Sequence, residues 1–235
     1  MEHAQPRGLR RRRVEQLLSK TKSQRSAGSR IESLSRQFLG FPYTINPLIG
    51  SAETEEVFTA SLDGFDCVTY VETILALSRA TSVGGFLTWL RKIRYADGRV
   101  SWERRNHYMT QWIRNNIRAG ALVQTSFADV PGVVKDRTLN DVPGLPPVHA
   151  RFSCVPRRSL GKLTRRTQSG DLIFFASTRK RLDVFHCGIV IRDGNRTLVR
   201  HASRSRGGVV EQDLNEFLKA NRMAGIIIAR PKELS

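Results

Sequence analysis

Apolar residues recur at helical spacing in several stretches of the first half of the chain, and in short β-branched runs in the second half. Ile31, Leu34 and Phe38 fall at i, i+3 and i+7, which predicts an amphipathic helix over 31–39 closed by Gly40-Phe41-Pro42. Val68, Val71 and Leu75 repeat the stripe and predict a largely buried helix over 68–77, with Asp63 and Asp66 as alternative N-caps. Phe86, Trp89, Leu90 and Ile93 predict a third helix, and a fourth begins at Arg104 and ends near Gly120. The segment 94–102, with Asp97-Gly98 inside it, reads as a hairpin. Residues 122–156 show little periodicity and carry prolines at 131, 143, 146 and 147, so they read as a long excursion over the sheet.

From Gly170 onward the pattern is that of strands. Residues 170–176 form an apolar run bounded by turn residues, and 186–191 and 197–203 flank Asp193-Gly194, a strong two-residue hairpin signal. A short strand over 207–211, a short helix over 214–221 and a buried strand over 225–230 follow. Helices first and mostly antiparallel strands afterwards predict an α+β fold with the 68–77 helix packed on the sheet. Residues 31–235 suffice for one domain with a real core. Residues 1–30, rich in Arg, Ser and Gln, read as a basic flexible arm in preference to a short helix over 14–20.

The candidate chemistry starts at Cys67, in the first turn of the buried helix. Unpaired N–H groups and partial positive charge at a helix start favour thiolate, the nucleophilic form. The same position also suits a small, inert core residue. Downstream, the hairpin places two imidazoles on one face. If Asp193-Gly194 is the turn, Arg192 pairs with Asn195 and His186 lies opposite His201; a longer loop pairs His186 with Ser203 and leaves His201 diagonal. A helix-start thiol, an imidazole and a polar group behind it form a nucleophile–base–orienter set. His107, Tyr108 and Trp112, beside Arg104 and Arg105, suit a ligand with sugar rings and carboxylates, or equally core packing and a solvated face.

Composition adds two constraints. The formal net charge is +18, from 39 Lys and Arg against 21 Asp and Glu. Residues 1–36 hold ten basic and three acidic residues, so the body carries the remaining +11. That surplus points to an anionic partner such as nucleic acid, a phospholipid surface or an acidic wall polymer, or else to solubility alone. Neither zinc-finger spacing nor an aromatic RNA-reading strand motif is present. The cysteines are 67, 154 and 187, too few and of odd number for a disulfide framework, and their spacing fits no zinc motif. No run approaches the ~18 apolar residues of a transmembrane helix, and no apolar segment follows Arg10–Arg13 to make a secretory signal.

The runs "FDCVTYVET", "GDLIFF", "FHCGIVI" and "VRHAS" resemble the NlpC-type papain-like cysteine peptidases of bacterial cell walls. "FLGFPY", "FDCVTYVETILAL", "IRYADGRVSWERRNHYMTQWI" and the terminal "GIIIAR" resemble their N-acetylmuramoyl-L-alanine amidase-like branch, over 31–230. The resemblance implies an α+β, papain-like (NlpC-type) domain with N-terminal helices on a mostly antiparallel C-terminal sheet. It implies Cys67 as nucleophile, His186 as general base and His201 as its orienter, with Arg105, His107 and Tyr108 as substrate contacts. The expected reaction cleaves the amide between N-acetylmuramic acid and L-alanine in (1,6-anhydro)muropeptides, without metal or other cofactor. The expected partner is a muropeptide or peptidoglycan fragment, not nucleic acid, and the expected state is a monomer. The resemblance points to the periplasm; the missing signal leaves the cytoplasm as the alternative. This sequence departs at Cys187, where the family has an apolar residue such as valine, and at Tyr70, where Phe is usual.

Rival readings are a γ-D-glutamyl-L-diamino-acid endopeptidase, a metal-dependent hydrolase using His107, His186, His201 and a cysteine, and a non-enzymatic basic binding module.

Overall fold

The protein is described by a computed structural model covering residues 6–123, 125 and 129–234. Its first half is helical: α1 (Arg11–Lys20), α2 (Ala27–Arg36), α3 (Cys67–Arg79), α4 (Val83–Arg94) and α5 (Met109–Arg118). The second half holds α6 (Leu160–Thr164), α7 (Leu214–Ala220) and most of the strands. These are β1 (Leu122–Val123), β2 (Val133–Leu139), β3 (Val148–Cys154), β4 (Leu172–Ala176), β5 (Val184–Asp193), β6 (Arg196–Ser203), β7 (Gly208–Asp213) and β8 (Gly225–Pro231). Six of them form an antiparallel sheet in the order β1-β8-β4-β5-β6-β7, and β2 and β3 pair separately. The α+β class and the antiparallel sheet agree with the sequence pattern.

The sheet is buried on both faces, which explains why β4 is apolar without alternation. Phe174, Cys187, Ile189 and Ala202 face a core shared with α1–α5, while Ile173, Phe175, Val190 and Val199 face a second core under α6 and α7. α3 is the centre of the larger core: every residue from Thr69 to Ser78 is buried. A buried ion pair sits inside it. Glu72, 2% exposed, accepts from Arg94 Nε at 2.7 Å and from Trp112 Nε1 at 3.2 Å, and so ties α3 to α4 and α5.

Three segments differ from expectation. Within the basic arm, residues 11–20 are helical, forming α1, because Val14, Leu17 and Leu18 make an i, i+3, i+4 stripe that is buried against α3 and α4; residues 1–5 of the arm lie outside the described residues. Bridges from Arg7 to Thr59 and from Leu9 to Ser61 pin the chain ahead of it. Residues 94–102 are no hairpin; α4 runs on to Arg94, and two tight turns follow, with Asp97 and Gly98 both at positive φ and Tyr95 bridging to Arg105. The unpatterned stretch 122–156 contains the β2–β3 hairpin. Its period was hidden because Lys135 and Arg137 occupy inward positions, with Arg137 satisfied by the carbonyls of Ser177, Arg179 and Leu182.

Candidate active site

Asp66 settles where α3 begins. Its carboxylate accepts from the Thr69 amide at 2.7 Å and the Thr69 hydroxyl at 2.7 Å, while that hydroxyl also pairs with the Asp66 amide at 3.1 Å. This closed capping box makes Cys67 the first helical residue. Asp63, the other candidate cap, instead pairs with Arg10 in solvent. The Asp66 carbonyl takes the Tyr70 amide. Among the described hydrogen bonds, the Cys67 and Val68 amides are therefore left free at the helix mouth.

Burial, and then the neighbouring Cys67 charge, raise the Asp66 pKa to about 6. The folded protein thus holds this proton more tightly than the unfolded chain, whose aspartates titrate near ~3.9. As a consequence Asp66 destabilises the fold as pH rises from about 4 to about 6, and the cost is constant above that. Asp66→Asn keeps an acceptor for Thr69 and removes the charge. The stability of the variant relative to wild type should improve by about 2 kcal/mol between pH 4 and pH 7 in urea unfolding. A difference that does not move with pH would refute this.

The β5–β6 hairpin supplies the imidazoles, in the second of the two registers. Asp193 pairs with Arg196 and Ile189 with Arg200, so Gly194-Asn195 is the loop. Gly194 takes φ 55°, which suits the first central position of a II′ turn; the register expected from Asp193-Gly194 as the turn would ask Asp193 to adopt that strained region. His201 therefore lies opposite Gly188, one diagonal step from His186. A Cβ on Gly188 would stand 2.9 Å from Val199 Cγ2 and 3.0 Å from His201 Cβ. With no side chain there, His201 leans along the strand, and its Nδ1 meets His186 Nε2 at 2.6 Å. Gly188 was part of a quoted motif, yet its role was legible only once the register was known.

His186 stands among aromatic rings, 5.6 Å from Phe217 and 6.2 Å from Phe175 between centroids, both nearly parallel to it. Its Nε2 is engaged by His201, and the same ring helps to lower the pKa of the Cys67 thiol. His201 is 2% exposed; burial and then His186 lower its pKa to about 3, so it is neutral at working pH. Gln212 stands beside its outer nitrogen, although no bond of normal geometry closes there. Cys67 is partly exposed. The neighbouring Cys187, opposed by burial and assisted by His186, holds the Cys67 thiol well below its ordinary pKa. The Cys187 thiol is raised in return. Cys187 projects away from His186, as strand alternation requires, and its Sγ donates to the Cys67 carbonyl at 3.2 Å.

The structure thus brings Cys67, His186 and His201 together. Arg105, His107 and Tyr108 are tied up elsewhere. Arg105 is ion-paired with Glu56, His107 Nε2 lies 2.7 Å from the Trp102 carbonyl, and the buried Tyr108 hydroxyl accepts from the Asp141 amide at 3.0 Å. Among the described residues no cluster of three or more His, Cys, Asp or Glu side chains is placed to hold a metal ion. Two neighbours were not singled out from sequence. Tyr43 pairs with Phe65 just ahead of the nucleophile, and burial and then the Cys67 charge raise its phenol pKa. A groove of about 750 Å³ opens beside the two histidines, lined by Ser203, Arg204, Arg206, Gln212 and Phe217 among others.

A family model described as AmiA-like, N-acetylmuramoyl-L-alanine amidase-like, matches residues 33–226. The fold is shared with a solved Legionella pneumophila protein at TM-score 0.83 and 22% identity, covering 95% of each chain. An N-acetylmuramoyl-L-alanine amidase from Bacteroides uniformis aligns at TM-score 0.78 and 27% identity, covering 88% of this chain and 99% of that one. No match was found among curated proteins.

Proposed function

The chain belongs to the AmiA-like, N-acetylmuramoyl-L-alanine amidase-like family, and from that premise we propose that it is a cysteine hydrolase of small muropeptides. It cleaves the amide between N-acetylmuramic acid and L-alanine. The observation that carries this reading is a helix-mouth thiol whose pKa is lowered in part by His186, an imidazole that itself lies 2.6 Å from the buried, neutral His201. Such a chain has the roles of nucleophile, base and orienter, and with the family match it supports the NlpC-type, papain-like assignment.

In this mechanism Cys67 gives its proton to His186, and the thiolate attacks the lactyl carbonyl of the muramic acid. The free amides at the start of α3 receive the oxyanion, in a position where they need no rearrangement. His186 Nε2–H donates to the neutral His201 Nδ1, which steadies the imidazolium while it forms. His186 then protonates the departing L-alanine nitrogen. Water, deprotonated by His186, hydrolyses the thioester. The guanidinium groups of Arg204 and Arg206 lie where carboxylates of a stem peptide would be met, with the fork geometry that binds them in pairs. Arg105, His107 and Tyr108, assigned to substrate from the resemblance, act on this reading through the wall they build, since their polar atoms are bonded within the protein.

The deciding experiment is digestion of defined anhydro-muropeptides followed by mass analysis. Release of free stem peptide, with the anhydro-sugar as the other product, is the expected result. A shortened stem still attached to its sugar would assign endopeptidase activity instead. Unchanged substrate with salt-sensitive binding would assign a binding module.

A further inference from the structure

We infer that Cys67 and Cys187 are a redox pair: under peroxide the two sulfurs join as a disulfide that closes the site reversibly. The inference that closure stops turnover rests on Cys67 being the nucleophile; formation of the bond does not.

The two residues are 120 positions apart in sequence, yet Cys187 Sγ donates to the Cys67 carbonyl oxygen at 3.2 Å, which holds its sulfur beside residue 67. No segment has to unfold for them to meet, because the start of α3 is docked on β5. Their exposures differ in the way a peroxide-sensing pair requires. Cys67 is partly open to solvent, while Cys187 is 1% exposed and sits under it. An oxidant therefore reaches Cys67 first. Cys154, the third cysteine, is in contact with Ala224 on the far side of β8 from this pair and is not a candidate partner.

The chemistry closes without another reagent. A hydroperoxide takes up two electrons from the Cys67 thiolate, its O–O bond breaks, and Cys67 becomes a sulfenic acid with release of water or an alcohol. The Cys187 sulfur then attacks the Cys67 sulfur, the S–O bond breaks, and the hydroxide leaves with the Cys187 proton as water. Two electrons have passed to each peroxide molecule. The local electrostatics favour this order. The Cys67 thiol is the more acidic partner, and the main influence holding the Cys187 pKa up is the neighbouring Cys67, whose negative charge oxidation removes. The disulfide also spares the nucleophile from sulfinic and sulfonic acid, from which dithiothreitol gives no return.

The test treats the folded protein with hydrogen peroxide, blocks free thiols with iodoacetamide and maps peptides without reduction. The expected result is a peptide linking Cys67 to Cys187, with activity and both thiols regained on adding dithiothreitol. In Cys187→Val the same treatment should leave Cys67 carrying added oxygens, with activity that dithiothreitol does not restore. Wild-type Cys67 accumulating two or three oxygens, or a linked peptide that contains Cys154, would overturn the inference without recourse to the variant. A Cys67–Cys187 link in a protein whose Cys67→Ser form is fully active would instead sink the hydrolase reading and leave the pair standing.

Discussion

Cys67→Ser, or alkylation of Cys67 by iodoacetamide, lowers muropeptide hydrolysis by at least about 10³-fold, the scale of loss when a nucleophile acting with a base is removed. The fold should survive. α3 is capped by Asp66 and Thr69, whose bonds do not involve the cysteine side chain, and Cys187 bonds the backbone carbonyl at 67. Alkylation is also selective. The Cys67 thiol is held low while Cys154 is raised by burial and Cys187 by the neighbouring Cys67, so at neutral pH Cys67 presents the most thiolate. Peptide mapping after a short exposure should find label on Cys67 ahead of the other two. Full activity in Cys67→Ser, or label appearing first on Cys154, would remove the nucleophile from the scheme.

Glu72→Ala is expected to cost about 3–5 kcal/mol, the range for breaking a buried ion pair by deleting one partner. Glu72 and Arg94 are each 2% exposed, and once the carboxylate is gone Arg94 keeps the Thr59 carbonyl at 2.6 Å but no carboxylate partner among the described residues. The Trp112 indole N–H loses its acceptor as well. That is a large part of the stability of a domain this size, so the variant should unfold at much lower urea than wild type. The double variant Glu72→Leu with Arg94→Met replaces the pair by apolar groups of similar length and should recover most of the loss. A cost below about 1 kcal/mol for Glu72→Ala would show that the charge is hydrated, contrary to its burial.

Glu72 also marks how far sequence reasoning reached. The α3 stripe, the strand runs and the pairing of a cysteine with two histidines were legible because each rests on local periodicity or on one hairpin. Glu72 stood in a quoted motif without a role, since its partners lie 22 and 40 positions away on other helices. The N-terminal helix, named over 14–20 as the lesser alternative, ranked below a flexible arm because runs of arginine outweigh three apolar residues in any compositional reading, although the solvent-facing side of a helix tolerates many charges. The two hairpin registers could not be ranked because an Asp-Gly pair fits two positions of a turn; the observed one keeps a two-residue loop, Gly194-Asn195, and only the sign of φ at residue 193 separates them. The substrate contacts drawn from the resemblance were read as free polar groups; side-chain partners such as Glu56 are distant in sequence and give no local signal.

Seating residues 11–20 inside the helical layer makes that segment part of the architecture. Val14 and Leu17 have no exposed surface, and Leu18 has 7%. A protease that clipped the link between α1 and α2 would thus release a basic, amphipathic fragment, and it would uncover an oily scar on the enzyme left behind.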